Sequence, residues 1–354
     1  MLFLFGMFVV GEALVESGYL AYIAHRFFSH AKNPDQLVLI ILFGMGLLSA
    51  LLMNDTLAII GTPLVLMLAT RFKLSPTLLL ITLAVAITSG SVMSPMGNPQ
   101  NLLIAQDSGM TAAFVTFGSY LLIPTLINLL IAFGILRLFY AGEFLPGIMV
   151  NDAIIPCDSR QTIPVKCSLA IILILASANI AASLLGARMV ITLPLIAIAA
   201  VAPVLLLSRQ RWTVLRGIDW ATLVFFAAMF VLMESVWQTG FFQSFVYGSM
   251  VSSVPMILAT SVIISQFISN VPFVALFQPM ILQAGDGTAT RLMALAAGST
   301  IAGNLTILGA ASNVIIIQNA EKQGETISFM EFAKVGIPLT ILQTAVYWIF
   351  LSVV

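Results

Sequence analysis

Long apolar stretches separated by short polar segments run through the whole sequence. A helix that crosses a membrane needs about 20 consecutive, mainly apolar residues. The stretches that approach or exceed this length lie at about 1–24, 77–105, 112–139, 166–184, 190–207, 219–245, 291–319 and 329–353. This pattern predicts an all-α polytopic membrane protein with about eight transmembrane helices.

Two further apolar runs, at about 36–71 and 253–284, are too long for one helix and carry a polar break in the middle. Asn54 and Asp55 interrupt the first run, and Ser269 and Asn270 interrupt the second. Irregular backbone is tolerated at membrane depth only where it is buried in protein or lines a polar cavity. We therefore interpret each run as a re-entrant hairpin, which enters and leaves the membrane on the same side.

The composition supports a membrane location and narrows the function. Of the 354 residues, 60% are hydrophobic and 8% are charged, with a mean hydropathy of +1.10. A soluble domain carries about 25% charged residues, so this chain cannot cover a soluble surface. A cytosolic enzyme, a nucleic-acid binder and a disordered chain are excluded. The sequence has no zinc motif, no nucleophile paired with a base and no paired catalytic aspartates, so we expect no enzymatic activity and no cofactor apart from a bound Na⁺ ion.

The basic residues give the orientation. With the N-terminus outside, only Arg188 and Arg291 of the 14 lysines and arginines fall on the outside. Basic residues are concentrated in cytoplasmic loops. If either hairpin crossed the membrane once, all later loops would change sides and this bias would be lost. We therefore expect a multi-pass protein of the cell (inner) membrane with its N-terminus outside.

The sequence contains an internal repeat. Three segments of the first half match three of the second in the same order, at offsets of 222, 216 and 212 positions. The first copy starts outside and the second inside, which predicts an inverted-topology repeat, as in many secondary transporters. We divide the chain into a first repeat at 1–140, a cytoplasmic linker at 141–165 and a second repeat at 166–354 with two extra leading helices. The first repeat shows no such pair in this sequence. The matched segments are Met7–Glu12 with Met229–Glu234, Asn54–Pro63 with Asn270–Pro279, and Gly97–Asn101 with Gly309–Asn313.

Each repeat also carries a polar interruption inside one apolar stretch. Pro95, Gly97 and Pro99 cannot all lie in one continuous helix. Asn98 has the position of an N-cap with proline at the first helical position. The stretch 291–319 is interrupted at Gly303–Asn304 and again at 308–313, where Ser312 or Asn313 is the candidate cap. The sequence thus predicts two broken helices.

Hairpin tips and broken helices together predict a binding site. Four helix N-termini would converge, with free N–H groups and partial positive charge that favour an anion. No lysine or arginine lies in the middle of any span. The polar side chains at the tips and breaks have an alternative role, which is only to cap the half-helices and to shape the breaks. The candidate substrate-binding residues are Asn54, Thr56, Asn98, Gln100, Asn101, Ser269, Asn270, Asn304, Thr306, Ser312 and Asn313.

Acidic residues within the apolar stretches are the candidate coupling-ion site. A charged carboxylate in the membrane costs at least about 2.5 kcal/mol, so each must be protonated, hydrated or paired with a cation. Asp55 at the first tip is the strongest candidate, and Glu12 and Glu234 are partners in the repeat. Hydrogen-bonded structural roles are the alternative for all three. The residues expected near a bound Na⁺ are Asn54, Asp55, Asn101, Asn270 and Asn313.

These segments resemble the ion-transporter superfamily of arsenite permeases, citrate–metal carriers, NhaD-type antiporters and divalent anion–sodium symporters. Residues 54–66 resemble the first hairpin of arsenite-permease-like proteins, and residues 96–104 resemble their first broken helix. Residues 269–272 and 302–313 resemble the second pair. The likeness covers nearly the whole chain and is strongest to the "anion permease" branch near the arsenite permeases.

The resemblance implies an elevator-type carrier, in general a homodimer, with a scaffold domain and a mobile transport domain. In the symporters a Ser-Asn-Thr motif at each tip holds the substrate carboxylate and helps to bind Na⁺. Here neither tip, at Met53–Thr56 or at Ser269–Val271, has the intact motif. The Asp55 carboxylate adds a negative charge where an anion would approach, which favours coupling to H⁺ or Na⁺.

We therefore predict a secondary active transporter of a small inorganic or carboxylate anion, coupled to H⁺ or Na⁺ by symport or antiport, with the lipid bilayer as its environment and no nucleic-acid partner. The alternatives are a Na⁺/H⁺ antiporter of the NhaD type and an arsenite or antimonite efflux permease. An intramembrane hydrolase would need a nucleophile with a base or paired catalytic aspartates, which the sequence lacks, and a non-transporting scaffold or receptor would not need the matched breaks.

Overall fold

A computed structural model describes residues 1–19, 22–23, 31–144, 159–186, 191–245, 248–284 and 287–354. Within these ranges the chain is helical and contains no strand. In chain order the helices are α1 (Leu2–Glu16), α2 (Pro34–Leu52), α3 (Asn54–Phe72), α4 (Pro76–Ser91), α5 (Pro99–Asp107), α6 (Ala113–Phe139), α7 (Ser159–Leu184), α8 (Leu193–Leu207), α9 (Arg211–Gly217), α10 (Trp220–Thr239), α11 (Phe241–Phe245), α12 (Gly248–Ser252), α13 (Val254–Ile268), α14 (Asn270–Gln283), α15 (Ala289–Ile301), α16 (Ala311–Glu321) and α17 (Phe329–Val353). Short 3₁₀ turns occur at Ala141–Phe144, Ala302–Asn304 and Ile307–Gly309.

The all-α polytopic architecture predicted from the apolar pattern is confirmed. In the described part of the chain, six helices are long and apolar enough to cross a membrane, namely α2, α3, α6, α7 from Thr162 onward, α10 and α17. Helices α4, α8 and α13 are apolar but shorter. Of the predicted linker at 141–165, the structure describes the turn Ala141–Phe144 and the start of α7 at Ser159, and residues 145–158 lie outside the described ranges.

Each predicted hairpin is a pair of helices joined by one residue. Met53 joins α2 to α3 with φ 66° and ψ 141°, and Ser269 joins α13 to α14 with φ 66° and ψ 164°. A positive φ is rare for a residue with a side chain. The two tips therefore share the same unusual backbone 216 positions apart, as the repeat requires. The N-cap positions at the two tips are occupied by Met53 and Ser269, and neither side chain makes a capping hydrogen bond.

The two broken helices also form where they were predicted. Helix α4 ends at Ser91, and α5 begins at Pro99, where the Asn98 side chain accepts a 2.8 Å hydrogen bond from the Asn101 N–H. The second break separates α15 from α16. There the N-cap is Ala310, so the prediction that Ser312 or Asn313 caps this half-helix is wrong. Their side chains are engaged elsewhere in the site.

Close contacts join each hairpin to the broken helix of its own repeat. A Cβ on Gly90 of α4 would overlap the backbone of Gly46 in α2, so these two helices touch along their backbones. In the second repeat, a Cβ on Gly298 of α15 would lie 2.8 Å from Cβ of Ser261 in α13. Since only glycine allows such approach, hairpin and broken helix form one packed unit in each half.

The equivalent first helices of the two repeats differ in their surroundings. Helix α1 is largely buried, and its Gly6 lies against Ala197 of α8. The equivalent α10 buries only Leu223, Phe226 and Met229. The leading helices of the second repeat therefore cover α1, whereas α10 keeps an exposed apolar surface in this chain.

Candidate functional site

Both hairpin tips and both broken helices meet at one small cavity. Its volume is about 20 Å³, which is space for about one water molecule or one monovalent cation. Helix α10 closes one side with Phe225, Phe226 and Met229. The other lining residues are Asn54, Asp55, Pro99, Gln100, Ser269, Asn270, Val271, Pro272, Ala310 and Ala311. The convergence expected from the sequence is therefore present, and none of the lining residues is basic.

The first tip contacts both breaks. The Asn54 backbone N–H donates to the Gly97 carbonyl at 2.9 Å in the first break. The Asn54 side-chain amide donates to the Ser312 hydroxyl at 3.4 Å in the second. Asn54 and Ser312 are both buried. Asn54 thus connects the two halves of the chain at the site.

A network around Thr300 holds the first break. Its hydroxyl accepts from the Asn98 amide at 3.2 Å and the Gln100 amide at 3.4 Å, and donates to Asn101 Oδ1 at 3.4 Å. The Asn101 amide in turn donates to the backbone oxygens of Ser91, Val92 and Ser94, at 3.0–3.2 Å. These carbonyls lie at and just after the end of α4, where a helix leaves its last carbonyls without helical partners. Asn98 and Asn101 therefore stabilise the unwound backbone, while Gln100 reaches the cavity.

Side chains from three other helices hold the second break. Asn313 Nδ2 donates to the Gly303 carbonyl at 2.6 Å. Asn304 Nδ2 donates to Ser89 Oγ of α4 and Gln343 Oε1 of α17, at 3.0 and 2.9 Å. The Thr306 hydroxyl donates to Gln266 Oε1 of α13 at 2.8 Å. Asn304 and Thr306 thus lie behind the cavity and do not line it.

Several oxygens around the site have no hydrogen-bond partner among the described residues. Such buried oxygens are rare and call for water or an ion. Amide and hydroxyl oxygens are also suitable ligands for hard cations. Of the residues expected near Na⁺, Asn54, Asn270 and Asn313 carry a free oxygen, whereas the Asn101 oxygen accepts from Thr300. The unpartnered oxygens are Asn54 Oδ1, Thr56 Oγ1, Thr88 Oγ1, Asn270 Oδ1, Asn304 Oδ1 and Asn313 Oδ1.

The three candidate acids have different surroundings. Asp55 is buried and lines the cavity. Glu12 is half-buried on α1, where Gly217 of α9 leaves room for its carboxylate. Glu234 is exposed on α10 and accepts a 3.0 Å hydrogen bond from Gln238. The structure therefore brings Asp55 into the site and leaves Glu12 and Glu234 outside the cavity lining.

Several residues that shape the site were not predicted from the sequence. Thr300, Gln266, Ser89 and Gln343 all lie within continuous helices, where no polar break marks them. The internal repeat could have indicated Thr300, because Thr88 and Thr300 are separated by the same 212 positions as the two breaks. Thr300 faces Asn98, whereas Thr88 faces Gly303. Each threonine therefore lies against the break of the opposite repeat.

A multi-pass helical chain with two hairpin tips and two broken helices around one cavity is a membrane transporter of the inverted-repeat class. Residues 1–291 match the family model described as "Citrate transporter" (CitMHS), and the chain belongs to this family. The expected relationship to the ion-transporter superfamily is confirmed.

Two of the similar proteins are named as an uncharacterized transporter and as a membrane protein. An uncharacterized transporter of Mycobacterium tuberculosis is 27% identical over 368 residues, covering 98% of this chain and 84% of the relative. The 46 kDa membrane protein of Mycobacterium leprae is 26% identical over 369 residues, with the same coverage. The P protein of Homo sapiens is 24% identical over 440 residues, covering 99% of this chain and 52% of that protein. The solved YdaH transporter of Alcanivorax borkumensis has a TM-score of 0.55 and 16% identity, covering 99% of this chain and 84% of that chain, and so shares the fold.

Proposed function

We propose that this protein is a secondary active transporter of a small carboxylate anion, coupled to H⁺ or Na⁺. The observation that carries the proposal is the cavity at which both tips and both broken helices meet, which is lined by three amide side chains and no basic side chain. Helix N-termini bind anions without a formal positive charge. The name of the family, citrate transporter, favours a carboxylate over an inorganic anion.

Substrate binding requires a wider cavity than the one described. A small-molecule site has a volume of about 300–1,000 Å³, whereas this cavity has about 20 Å³. We infer that the structure represents a closed state without room for a carboxylate substrate. Opening would separate the tips from α10, whose Phe225 and Met229 cover the site.

The proposed movement is of the elevator type. Hairpins and broken helices would move together, because close glycine contacts and buried hydrogen bonds join them. Helices α1, α7, α8 and α10 would form the frame. Gly11 of α1 and Thr56 at the first tip would then lie at the interface along which the moving unit slides past the frame.

The proposed role of Asp55 is to couple the ion to the substrate. A charged Asp55 in the cavity lining would repel an approaching anion. Protonation of Asp55, or a Na⁺ ion among the free oxygens of Asn54 and Asn270, would remove this repulsion. An anion and a cation would then stabilise each other in the site, which is symport.

A Na⁺/H⁺ antiporter is the second candidate. It is favoured by the cavity volume, which suits one cation, and by the free amide oxygens beside a buried aspartate. In this case Asp55 would exchange a proton for Na⁺ and no anion would bind.

Thermal unfolding of the purified protein separates the two candidates. The panel is succinate, citrate, phosphate, sulfate and arsenite, each with and without Na⁺ and at two pH values. A ligand that binds the folded state raises the unfolding midpoint by mass action. Stabilisation by a carboxylate supports the proposed function, and its dependence on Na⁺ or pH identifies the coupling ion. Stabilisation by Na⁺ alone supports the antiporter, and stabilisation by arsenite alone supports an efflux permease.

A further inference from the structure

The two hairpin tips are equivalent in the repeat but differ in how firmly they are held. At the first tip, the Asn54 N–H donates to the Gly97 carbonyl at 2.9 Å, and the Asn54 amide donates to Ser312 Oγ at 3.4 Å. The counterpart of Asn54 at the second tip is Asn270. In the described part of the chain, neither its N–H nor its side chain has a partner in either break. Hydrogen bonds therefore fix the first tip to both breaks and leave the second tip unattached to them.

The tips also differ in burial. Met53 at the first tip is 0% exposed, whereas its counterpart Ser269 is half-buried. Two positions before these residues, Leu51 is half-buried and its counterpart Phe267 is 82% exposed. The end of α13 is therefore covered much less by the rest of the protein than the end of α2.

The helix in front of each tip accounts for this difference. Helix α1 lies against the first tip through Gly11 and Thr56, and α8 and α9 lie against α1 in turn. The counterparts of Gly11 and Thr56 are Met233 on α10 and Pro272 at the second tip. A methionine does not allow the close backbone approach that a glycine allows. Helix α10 is itself largely exposed, so the second tip has a less firmly packed helix in front of it.

The second hairpin is nevertheless anchored below its tip on both of its helices. Gln266 Nε2 on α13 donates to the Ala302 carbonyl at 2.8 Å, and Gln278 Nε2 on α14 donates to the Ile104 carbonyl at 3.4 Å. Between these two anchors, the segment Ser269–Pro272 borders the cavity. The part of the hairpin that is free to move is therefore the part that closes the cavity.

We propose that the second tip, Ser269–Pro272, is the gate of the cavity and that the first tip is a fixed wall. This inference rests on the proposed transport function. The gate moves away from Phe225 and Met229 of α10 and widens the cavity, while the helices of the hairpin stay attached at their anchors. In the proposed orientation the second hairpin enters the membrane from the outside, so this gate admits the substrate from that side.

Hydrogen–deuterium exchange of the full chain in lipid nanodiscs tests the gate without any ligand. We expect peptides that contain residues 267–271 to exchange about 30-fold faster than peptides that contain residues 51–55, which is the equilibrium factor for two ordinary hydrogen bonds. Equal exchange at the two tips would overturn the proposal, whether or not the protein transports an anion. Citrate added with Na⁺ should then slow exchange at the second tip alone. Unequal exchange that citrate does not change supports the gate and contradicts a carboxylate substrate.

Cysteine labelling connects the movement of the gate with transport. In a background without Cys157 and Cys167, a membrane-impermeant maleimide added from outside should label Ser269→Cys and abolish its uptake, because the adduct prevents closure. Met53→Cys is the matched control at the equivalent position, and because Met53 is fully buried it should stay unlabelled. Equal labelling of the two variants contradicts the proposal, and so does labelling of Ser269→Cys without loss of uptake.

Discussion

Asn101 and Asn313 make the same pair of hydrogen bonds in the two halves of the protein. Each side-chain amide donates to the backbone oxygens of the residues ten and seven positions before it. For Asn101 these are Ser91 and Ser94, both at 3.0 Å, and for Asn313 they are Gly303 and Thr306, at 2.6 and 3.4 Å. The same pair of side-chain hydrogen bonds thus stabilises the unwound backbone in both broken helices. The internal repeat is therefore present in the contacts as well as in the sequence.

Asn313→Asp is expected to destabilise the second break. A carboxylate cannot donate, so the Gly303 and Thr306 carbonyls lose their donor, at about 1–3 kcal/mol for each unpaired buried group. The unfolding midpoint should fall, and transport should fall with it. Asn319→Asp is the control on the same helix, because Asn319 accepts from exposed Lys322 at the surface. Equal midpoints for the two variants would contradict the structural role of Asn313.

Asp55→Asn is expected to abolish ion-coupled transport and leave folding intact. Asparagine keeps the size of the side chain but removes the charge that H⁺ or Na⁺ must neutralise. The measurement is substrate uptake into proteoliposomes driven by a Na⁺ or H⁺ gradient, together with the unfolding midpoint. Asp35→Asn is the control, because Asp35 makes only a partly exposed 3.3 Å ion pair with Arg137, which contributes little to stability. Unchanged coupled uptake in Asp55→Asn would exclude the proposed role.

Gly11→Ala is expected to impair transport by pushing α1 away from the first tip. A Cβ at Gly11 would overlap Cγ2 of Thr56, and overpacking of this kind costs about 1–3 kcal/mol. Thr56→Ser removes that methyl group and keeps the hydroxyl, so the double variant should recover stability and transport. The test compares both single variants with the double variant in uptake and thermal unfolding. If the double variant is no better than Gly11→Ala, the two residues do not act through this contact.

Single cysteines should show that the first hairpin enters and leaves on the same side. Asn33 precedes α2 and Ser75 follows α3. In a background without Cys157 and Cys167, we expect Asn33→Cys and Ser75→Cys to react with a membrane-impermeant maleimide only from the cytoplasmic side. Gly109→Cys, between α5 and α6, should react only from outside. Labelling of the two hairpin positions from opposite sides would exclude the re-entrant topology.

The sequence by itself determined the elements that depend on neighbouring residues. The apolar runs set the helices, and Asn98 before Pro99 marked the first half-helix because a cap and a proline act within one turn. The polar pairs Asn54–Asp55 and Ser269–Asn270 marked the tips for a different reason. Polar breaks at membrane depth are tolerated only where they are buried in protein or line a polar cavity.

Only the tertiary structure decided which polar groups meet. Thr300 bonds to Asn98 across 202 positions, and Gln343 bonds to Ser89 across 254. Ser312, expected as a cap, instead accepts from Asn54 of the other repeat. Glu12 and Glu234 are equivalent in sequence, yet α9 lies beside the first, whereas the second is exposed. The physical reason is that local signals act within a few residues, whereas these partners are chosen by how the two repeats pack against each other.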